Sequence, residues 1–182
     1  KPKYSCCALD PGVRTFQTMY SPNGVVGKFG DKLGNKLELL HKRIDLLKSL
    51  KSKIKNKRTV KNMTLRCFKL RTKVKNIVND FQWKLSNYLV KNYEIIMLPQ
   101  FETQQMIGKK RLSKKTNRRF NSLSHYKFQE KMKHQCKKYG RKLFIVGESY
   151  TSKTCTRCGV IKPNLNGSKT FNCVSCKLKI DD

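Results

Sequence analysis

The sequence is short of acidic residues, of long apolar runs and of internal repeats. Aspartate and glutamate number 11 in 182 residues, against 42 lysines and arginines, so the formal net charge is +31. This imbalance excludes a small acidic metabolic enzyme and favours a polyanionic partner, above all nucleic acid. On charge alone, a ribosomal-type basic protein and a basic membrane-surface protein stay open. No apolar run approaches the ~20 residues of a transmembrane helix, so we expect no membrane span.

Length and composition indicate one domain of ordinary size with room for a small second unit. Apolar residues make up 37% of the chain, which is enough for a hydrophobic core. Because the first residue is lysine and the sequence shows no signal-like segment, we expect an internal fragment of a longer chain.

Four of the eight cysteines form two CxxC pairs separated by fourteen residues: Cys155 with Cys158, and Cys173 with Cys176. Two such turns bring four thiolates together at the distances of a closed tetrahedral zinc site. Two disulfides in a secreted protein would use the same pairs, but nothing else indicates secretion, so we predict structural zinc. The other cysteines are Cys6, Cys7, Cys67 and Cys136. They fall in apolar patterns and are predicted to be buried free thiols, as in a reducing intracellular compartment.

Short β-rich segments alternate with helical patterns along the chain. The predicted strands cover residues 4–9, 14–20, 25–29, 93–98 and 142–147. The segment Pro22-Asn23-Gly24 between the second and third strands is a strong hairpin signal. A helix is predicted over residues 124–139 and should end at Gly140.

A helical hairpin over about residues 32–91 is predicted from two apolar stripes at helical spacing. Each stripe has the spacing of a coiled-coil seam, and a break near residues 56–59 divides them, so the two helices should pack antiparallel. Lysines cover the outer faces of both helices. These lysines are either solvated or face phosphate, and with this net charge we expect some of them to face phosphate.

The predicted order is that of an RNase H-like sheet: three antiparallel strands, then helices, a strand, a helix and a last strand. We therefore predict an α/β fold with a mixed sheet, in which the first strand is central, the fourth lies beside it and the fifth lies beside the fourth. The predicted domains are a core over residues 1–152 that includes the hairpin, a zinc ribbon over residues 153–178, and a short terminal segment over residues 179–182.

Asp10 and Glu148 stand out among the few acids because each follows a predicted strand of that sheet. Carboxylates held at neighbouring strand ends can bind Mg²⁺, and two such ions support phosphodiester hydrolysis. Glu102, just beyond the fourth strand, could join them from a less rigid position. The alternatives are that Asp10 is a turn former before Pro11-Gly12, and that either glutamate is a loop acid paired with a lysine.

A basic segment over residues 99–121 is predicted to be a loop after the fourth strand. Its candidates for nucleic-acid contact are Arg111, Lys114, Arg118 and Arg119. Their cationic side chains are those that bind phosphate oxygens in nucleic-acid complexes. The alternative is a flexible loop whose charges are only solvated.

Three segments resemble the RuvC nuclease domain of the Fanzor/TnpB family of transposon-encoded RNA-guided DNA endonucleases, Fanzor more than TnpB. They are Asp10-Pro-Gly-Val-Arg-Thr-Phe16, Pro99-Gln-Phe-Glu-Thr-Gln-Gln-Met106 and Tyr150-Thr-Ser-Lys-Thr-Cys-Thr-Arg-Cys-Gly159. The resemblance covers nearly the whole chain, and its most specific part is the last segment with the ribbon. It implies a guide RNA and a target DNA as partners, structural Zn²⁺, catalytic Mg²⁺, and nuclear localisation if the source is eukaryotic.

The resemblance also implies three catalytic acids, of which Asp10 matches the first. TnpB proteins carry the second just after the fourth strand, where this sequence has Gln100. Glu148 matches the position to which Fanzor-like proteins have moved that acid; alternatively, Gln100 replaces it and the chain is nuclease-dead. The third acid belongs to an Asp-Arg-Asp motif after the last zinc cysteine. Asp182 is the candidate, unless Asp181 is the first Asp of that motif and the catalytic Asp follows residue 182.

The resulting prediction is an Mg²⁺-dependent DNA endonuclease that uses Asp10, Glu148 and Asp182. Two other hypotheses stay open. One is a catalytically inactive, guide-directed DNA-binding protein of the same fold, and the other is a transposase or Holliday-junction resolvase of that fold. A requirement for guide RNA would argue against the transposase or resolvase.

Overall fold

The computed structural model describes residues 2–100, 113–147, 153–162 and 170–181. The elements, in chain order, are β1 (Tyr4–Pro11), β2 (Gln17–Tyr20), β3 (Val26–Phe29), α1 (Leu33–Ser52), α2 (Lys57–Asn92), β4 (Tyr93–Pro99), α3 (Lys114–Leu123), α4 (His125–Tyr139), β5 (Lys142–Val146), β6 (Thr170–Asn172) and β7 (Lys179–Asp181). They form two compact units, Lys1–Val146 and Gly147–Asp182. The predicted division at residue 152 stays a prediction.

The larger unit is built on a five-stranded sheet of order β3-β2-β1-β4-β5. β1 pairs antiparallel with β2 and parallel with β4, and β4 pairs parallel with β5. The central position of β1, with β4 and then β5 beside it, confirms the predicted RNase H-like α/β fold. Each predicted strand of this sheet is present, with bounds that differ by a few residues.

The predicted helical hairpin is also present. α1 ends at Ser52 and α2 begins at Lys57, after Asn56, whose side chain accepts a hydrogen bond from the backbone N–H of Thr59 at 3.1 Å. This N-cap satisfies a backbone donor that the first turn of α2 would otherwise leave unpaired. α2 then continues directly into β4, so the long helix carries the chain back to the sheet. None of the described helices is long and apolar enough to cross a membrane.

The prediction of a loop over residues 99–121 is wrong for its last part, because residues from Lys114 onward form helix α3. Ser113 caps this helix by accepting a hydrogen bond from the backbone N–H of Thr116 at 3.1 Å. The buried residues of α3 are Phe120 and Leu123. Two apolar positions in a strongly basic stretch are too few to reveal helical periodicity in the sequence.

The core lies between the helices and one face of the sheet. Its largest fully buried side chains include Tyr93, Phe16, Phe128 and Leu37. Cys7 belongs to the same core, and burial raises the pKa of its thiol to about 12. The predicted free thiols are free as expected: Cys7, Cys67 and Cys136 are buried, and Cys6 is half-buried.

The smaller unit is a two-stranded β-hairpin preceded by a tight turn. β6 pairs antiparallel with β7, with Phe171 opposite Ile180. Thr154 forms an isolated antiparallel bridge with Ile161 around the first CxxC turn. A unit this small has little apolar core of its own, so its folding depends on another source of stability.

Candidate catalytic edge and metal centre

Parallel pairing brings the carboxyl ends of β1, β4 and β5 to one edge of the sheet. Ala8 of β1 lies beside Met97 of β4, and Met97 lies beside Phe144 of β5. Two residues further on, each strand reaches this edge at Asp10, Pro99 and Val146 respectively. Adjacent strands are about 4.8 Å apart, so the backbone of Asp10 lies roughly 10 Å from that of Val146 across β4. We call this edge, defined by Asp10, Pro99 and Val146, the catalytic edge.

Asp10 presents its side chain on the exposed face of β1. Leu9 and Pro11, its two neighbours, are buried, whereas Asp10 is exposed. Side chains alternate between the two faces of a strand, so the Asp10 carboxylate points away from the helix-covered core. The arrangement leaves that carboxylate accessible at the end of a rigid central strand.

The turn after Asp10 requires a glycine at residue 12. The backbone N–H of Gly12 donates to the carbonyl of Phe16 at 3.3 Å, which closes the turn. A Cβ on Gly12 would lie 2.7 Å from the carbonyl oxygen of Thr15, closer than real Cβ atoms come to such a group. The Asp-Pro-Gly sequence therefore has a local structural reason that is independent of any function.

Several predicted site residues lie outside the described part of the chain: Glu102, Arg111, Glu148 and Asp182. Glu148 follows the end of β5 by two positions in the sequence. Asp181 is the last residue of β7, where its backbone pairs with Thr170. The convergence of Asp10, Glu148 and Asp182 on a shared metal stays a prediction.

Gln100 stands at the catalytic edge, at the position where the resemblance to TnpB proteins places the second catalytic acid. It directly follows β4 and is exposed. Its backbone N–H donates to the carbonyl of Val146 at 2.9 Å, which extends the pairing of β4 with β5 by one residue. Gln100 is therefore held at the strand end, and its amide side chain is a poor substitute for an anionic metal ligand.

Two buried polar residues beneath this edge were not predicted from the sequence to lie near the site. His125 is 4% exposed and Gln17 is 1% exposed. The imidazole of His125 stacks on the ring of Phe16, with centroids 4.6 Å apart and an interplanar angle of 8°. Burial lowers the pKa of His125 to about 4. In the sequence, a single histidine at the start of a helix gave no signal of this contact.

The four cysteines of the CxxC pairs form a cluster in the smaller unit. Their sulfur atoms all lie within 4.8 Å of one another. Sγ of Cys155 lies 3.5 Å from Sγ of Cys176, and Sγ of Cys158 lies 3.5 Å from Sγ of Cys173. Four sulfurs around one Zn²⁺ at about 2.3 Å would be about 3.8 Å apart. The donor set and its spacing therefore fit a tetrahedral zinc ion.

The two CxxC turns share one backbone pattern. The N–H of Cys155 donates to the carbonyl of Val160 at 2.9 Å, and the N–H of Cys173 donates to the carbonyl of Leu178 at 2.8 Å. In each turn the residue after the second cysteine has a positive φ, 72° at Gly159 and 59° at Lys177. Residues other than glycine and asparagine rarely adopt a positive φ, so the turn at Lys177 is locally strained.

Backbone donors favour the thiolate form at two of the four cysteines, Cys155 and Cys173, whereas the pKa of Cys176 is raised to about 12. The N–H groups of Cys176 and Ser175 hydrogen-bond to the Cys173 thiolate and lower the pKa of Cys173 to about 6. The N–H of Cys176 lies 3.4 Å from Sγ of Cys173. The N–H of Cys158 lowers the pKa of Cys155 in the same way. Metals bind the thiolate form, so these bonds favour the ligating state.

The basic residues of α3 have different environments. Lys114 is exposed, but Arg118 forms an ion pair with Asp45 of α1. Arg119 pairs with Glu38 of α1 at 2.7 Å, and Lys115 pairs with the same carboxylate at 2.9 Å. Hydrogen bonds from Lys115 and Arg119 lower the pKa of Glu38 to about 2. These pairs attach α3 to α1, and nucleic-acid contact by Lys114, Arg118 and Arg119 stays a prediction.

A second basic surface lies between α2, α3 and α4. It is a groove of about 420 Å³ whose lining includes four cationic side chains: Arg71, Lys75, Lys127 and Lys131. Lys131 donates to Oε1 of the buried Gln82 at 2.6 Å and lies 5.6 Å from the centroid of the Trp83 ring. Glu130 also lines the groove, and Lys133 pairs with it at 2.9 Å. We call this surface the α2–α4 groove; its lining has an excess of positive charge.

Known proteins resemble this chain over most of its length. Residues 125–182 match the family model described as the Cas12f1-like TNB domain. A putative transposase of Paramecium bursaria Chlorella virus 1 is 32% identical over 91% of this chain and 38% of its own length. A TnpB-like protein of Acanthamoeba polyphaga mimivirus is 32% identical over 99% of this chain and 36% of its own length.

The fold is similar to one solved in a nucleic-acid complex. The cryo-EM structure of a Cas12f1-sgRNA-target DNA complex contains a chain that matches 96% of this chain with a TM-score of 0.60, at 19% identity and over 46% of its own length. At that identity the likeness shows a shared fold. The chain spans less than two fifths of the length of the two viral relatives.

Proposed function

Because the chain is a RuvC-containing member of the TnpB/Fanzor family, we propose that it is the catalytic domain of an RNA-guided DNA endonuclease. The observation that supports this most is the catalytic edge. There, the exposed Asp10 ends a central strand level with the ends of β4 and β5. Glu148 follows β5 by two residues, so we infer that its carboxylate and that of Asp10 bind the same metal site.

Asp10, Glu148 and Asp182 are the proposed ligands of catalytic Mg²⁺. Carboxylate oxygens suit this hard cation, and two bound Mg²⁺ ions supply an activated water and stabilisation of the leaving oxygen in phosphodiester hydrolysis. This chain supplies the position of Asp10, which pairs with Thr18 of β2 and is followed by a closed turn. The position of Glu148 favours a Fanzor-like over a TnpB-like arrangement of acids.

We propose that the four-cysteine cluster binds one structural Zn²⁺ and that the surrounding residues form a zinc ribbon. A closed site of four thiolates leaves no open coordination position for chemistry. Among the described residues of the small unit, the buried ones are Cys155 and Cys173. Metal binding would therefore supply much of its folding free energy.

The proposed partners are a guide RNA and a target DNA inside the cell, and in the nucleus if the source is eukaryotic. The solved neighbour is a Cas12f1 complex with sgRNA and target DNA. In this chain, the net charge of +31 supports binding to such polyanions. The α2–α4 groove is the surface we assign to contact with a phosphate backbone, since its lining is cationic and otherwise rich in amide and hydroxyl groups.

Reversing charge in the α2–α4 groove should weaken nucleic-acid binding without unfolding the domain. For Lys75→Glu combined with Lys127→Glu, we expect RNA affinity to fall at least about 10-fold at physiological salt. The slope of log K against log salt concentration should become shallower by about one for each phosphate contact that is lost. Filter binding across a salt series measures both. Lys91→Glu, an exposed change at the end of α2 outside the groove, is the matched control. Equal losses in the two variants would contradict the assignment.

The proposed activity is tested with the full-length protein that contains this chain, loaded with its guide RNA. We expect Mg²⁺-dependent cleavage of DNA that matches the guide, and no cleavage without guide, without metal or with a mismatched target. The sugar-phosphate link is cut only when guide pairing has exposed the strand, so guide dependence separates this function from that of a transposase or resolvase of the same fold. Cleavage that ignores the guide would refute the proposal.

A second candidate function is guide-directed DNA binding without cleavage. The observation that favours it is Gln100, an exposed amide at the catalytic edge where TnpB-like proteins are expected to carry the second acid. Two results together would support this function: the protein binds matched DNA without cutting it, and Gln100→Glu creates Mg²⁺-dependent cleavage. In that case the natural chain is a DNA-binding protein without nuclease activity, and Glu148 has no catalytic role.

A further inference from the structure

The Asp10 turn rests on a buried aromatic stack. Phe16, which is 0% exposed, accepts the hydrogen bond from the Gly12 N–H through its carbonyl and stacks its ring on His125. Phe128 meets the same ring edge-on, with centroids 5.2 Å apart. The His125 ring thus packs on the residue whose carbonyl closes the turn that follows Asp10.

His125 is itself held rigidly from the helical hairpin. Ser124, the residue between α3 and α4, has a left-handed backbone with φ of 49°. The amide nitrogen of Gln82 on α2 donates to the carbonyls of Leu123 at 2.7 Å and Ser124 at 3.2 Å. These two hydrogen bonds hold the link that leads directly into His125, the first residue of α4.

One small cavity connects His125 with two of the strand ends at the catalytic edge. Its volume is about 10 Å³, and its lining includes Pro11, Gln17, Pro99 and His125. Pro11 and Gln17 face each other in the register of β1 and β2. His125 therefore lies on the core side of the ends of β1 and β4, while Asp10 is exposed on the other face of β1.

We propose that His125 is a positioning residue for the catalytic edge: by stacking on Phe16, whose carbonyl closes the turn after Asp10, it sets the position of the Asp10 carboxylate for metal binding. This inference rests on the proposed function, which makes Asp10 a metal ligand. Metal sites need their ligands held within about 0.5 Å, and residues that orient a ligand typically change metal affinity 10–100-fold when they are replaced. Because burial lowers the pKa of His125 to about 4, the imidazole stacks on Phe16 as an uncharged ring near pH 7.

Two substitutions separate the ring stack from the bulk of the side chain. His125→Phe keeps a flat ring on Phe16, whereas His125→Leu keeps a buried apolar side chain but removes the ring. Met132→Leu, a volume-conserving change at another fully buried position of α4, is the matched control. Mn²⁺ binding by the full-length protein, followed by electron paramagnetic resonance, reads the metal site directly, and the Mg²⁺ concentration for half-maximal cleavage reads it in catalysis.

For His125→Leu we expect Mn²⁺ affinity to fall roughly 10-fold and the half-maximal Mg²⁺ concentration to rise by a similar factor, with cleavage recovering at high Mg²⁺. His125→Phe should retain affinity within about 3-fold, and Met132→Leu should match the wild type. Wild-type Mn²⁺ affinity in His125→Leu would overturn the inference, as would losses that follow the melting temperature across all three variants.

The outcome is distinguishable from failure of the proposed function. If the wild type binds Mn²⁺ in an Asp10-dependent manner but cuts no DNA, the endonuclease proposal fails and the binding data still decide the role of His125. If Asp10→Asn does not change Mn²⁺ binding, no metal depends on the Asp10 turn, and the inference about His125 is overturned as well.

Discussion

Asp10→Asn is expected to abolish guide-directed DNA cleavage, with a loss of at least about 10³-fold in rate, while the fold and DNA binding persist. The amide keeps the shape of the side chain but removes the negative charge that a divalent cation requires. Because Asp10 is exposed on its strand, the change creates no cavity and buries no unpaired charge. Single-turnover cleavage at saturating Mg²⁺, alongside binding of matched DNA, measures the two effects separately.

The matched control is Asp80→Asn, which removes an exposed carboxylate of α2 that pairs with Lys84 at 2.8 Å. We expect this variant to cleave at the wild-type rate, since surface ion pairs contribute little to stability. Glu148→Gln should behave as Asp10→Asn does. Undiminished cleavage by Asp10→Asn would remove the catalytic edge from the mechanism.

Zinc analysis of the purified protein should give about one ion per chain, and Cys173→Ser should lose it together with the fold of the ribbon. Cys173 is 4% exposed, and backbone N–H groups stabilise its thiolate, so a serine hydroxyl cannot replace it as a ligand. Structural zinc sites supply folding free energy of about 10 kcal/mol or more in small metal-dependent domains. We therefore expect residues 153–181 to become protease-sensitive in this variant and in the wild type after chelation.

Cys67→Ser is the control for this experiment, because Cys67 is a buried free thiol of α2 outside the cluster. It should lower the stability of the helical hairpin and leave the zinc content unchanged. A wild type without zinc whose ribbon still resists protease would exclude the metal. If reductant made that zinc-free ribbon protease-sensitive, the disulfide alternative would replace zinc.

Local sequence signals were sufficient for the parts of the fold with strong periodicity. The strands of the larger sheet, the hairpin of α1 and α2, and the Gly140 end of α4 all follow from apolar spacing and turn residues. The spacing of the CxxC pairs likewise predicted that four sulfurs would cluster, which they do within 4.8 Å. These features are encoded within short stretches, where the chemistry of neighbouring residues is decisive.

The sequence by itself determined the charge, the cysteine cluster, the strand order of an RNase H-like sheet and the exposed Asp10 at a strand end. Only the tertiary structure decided the helical state of α3, whose arginines are paired with Asp45 and Glu38 of α1, and the position of His125 beneath the Asp10 turn. The physical reason is distance along the chain. These contacts join residues more than 70 positions apart, and their energies depend on burial and geometry that no local pattern records.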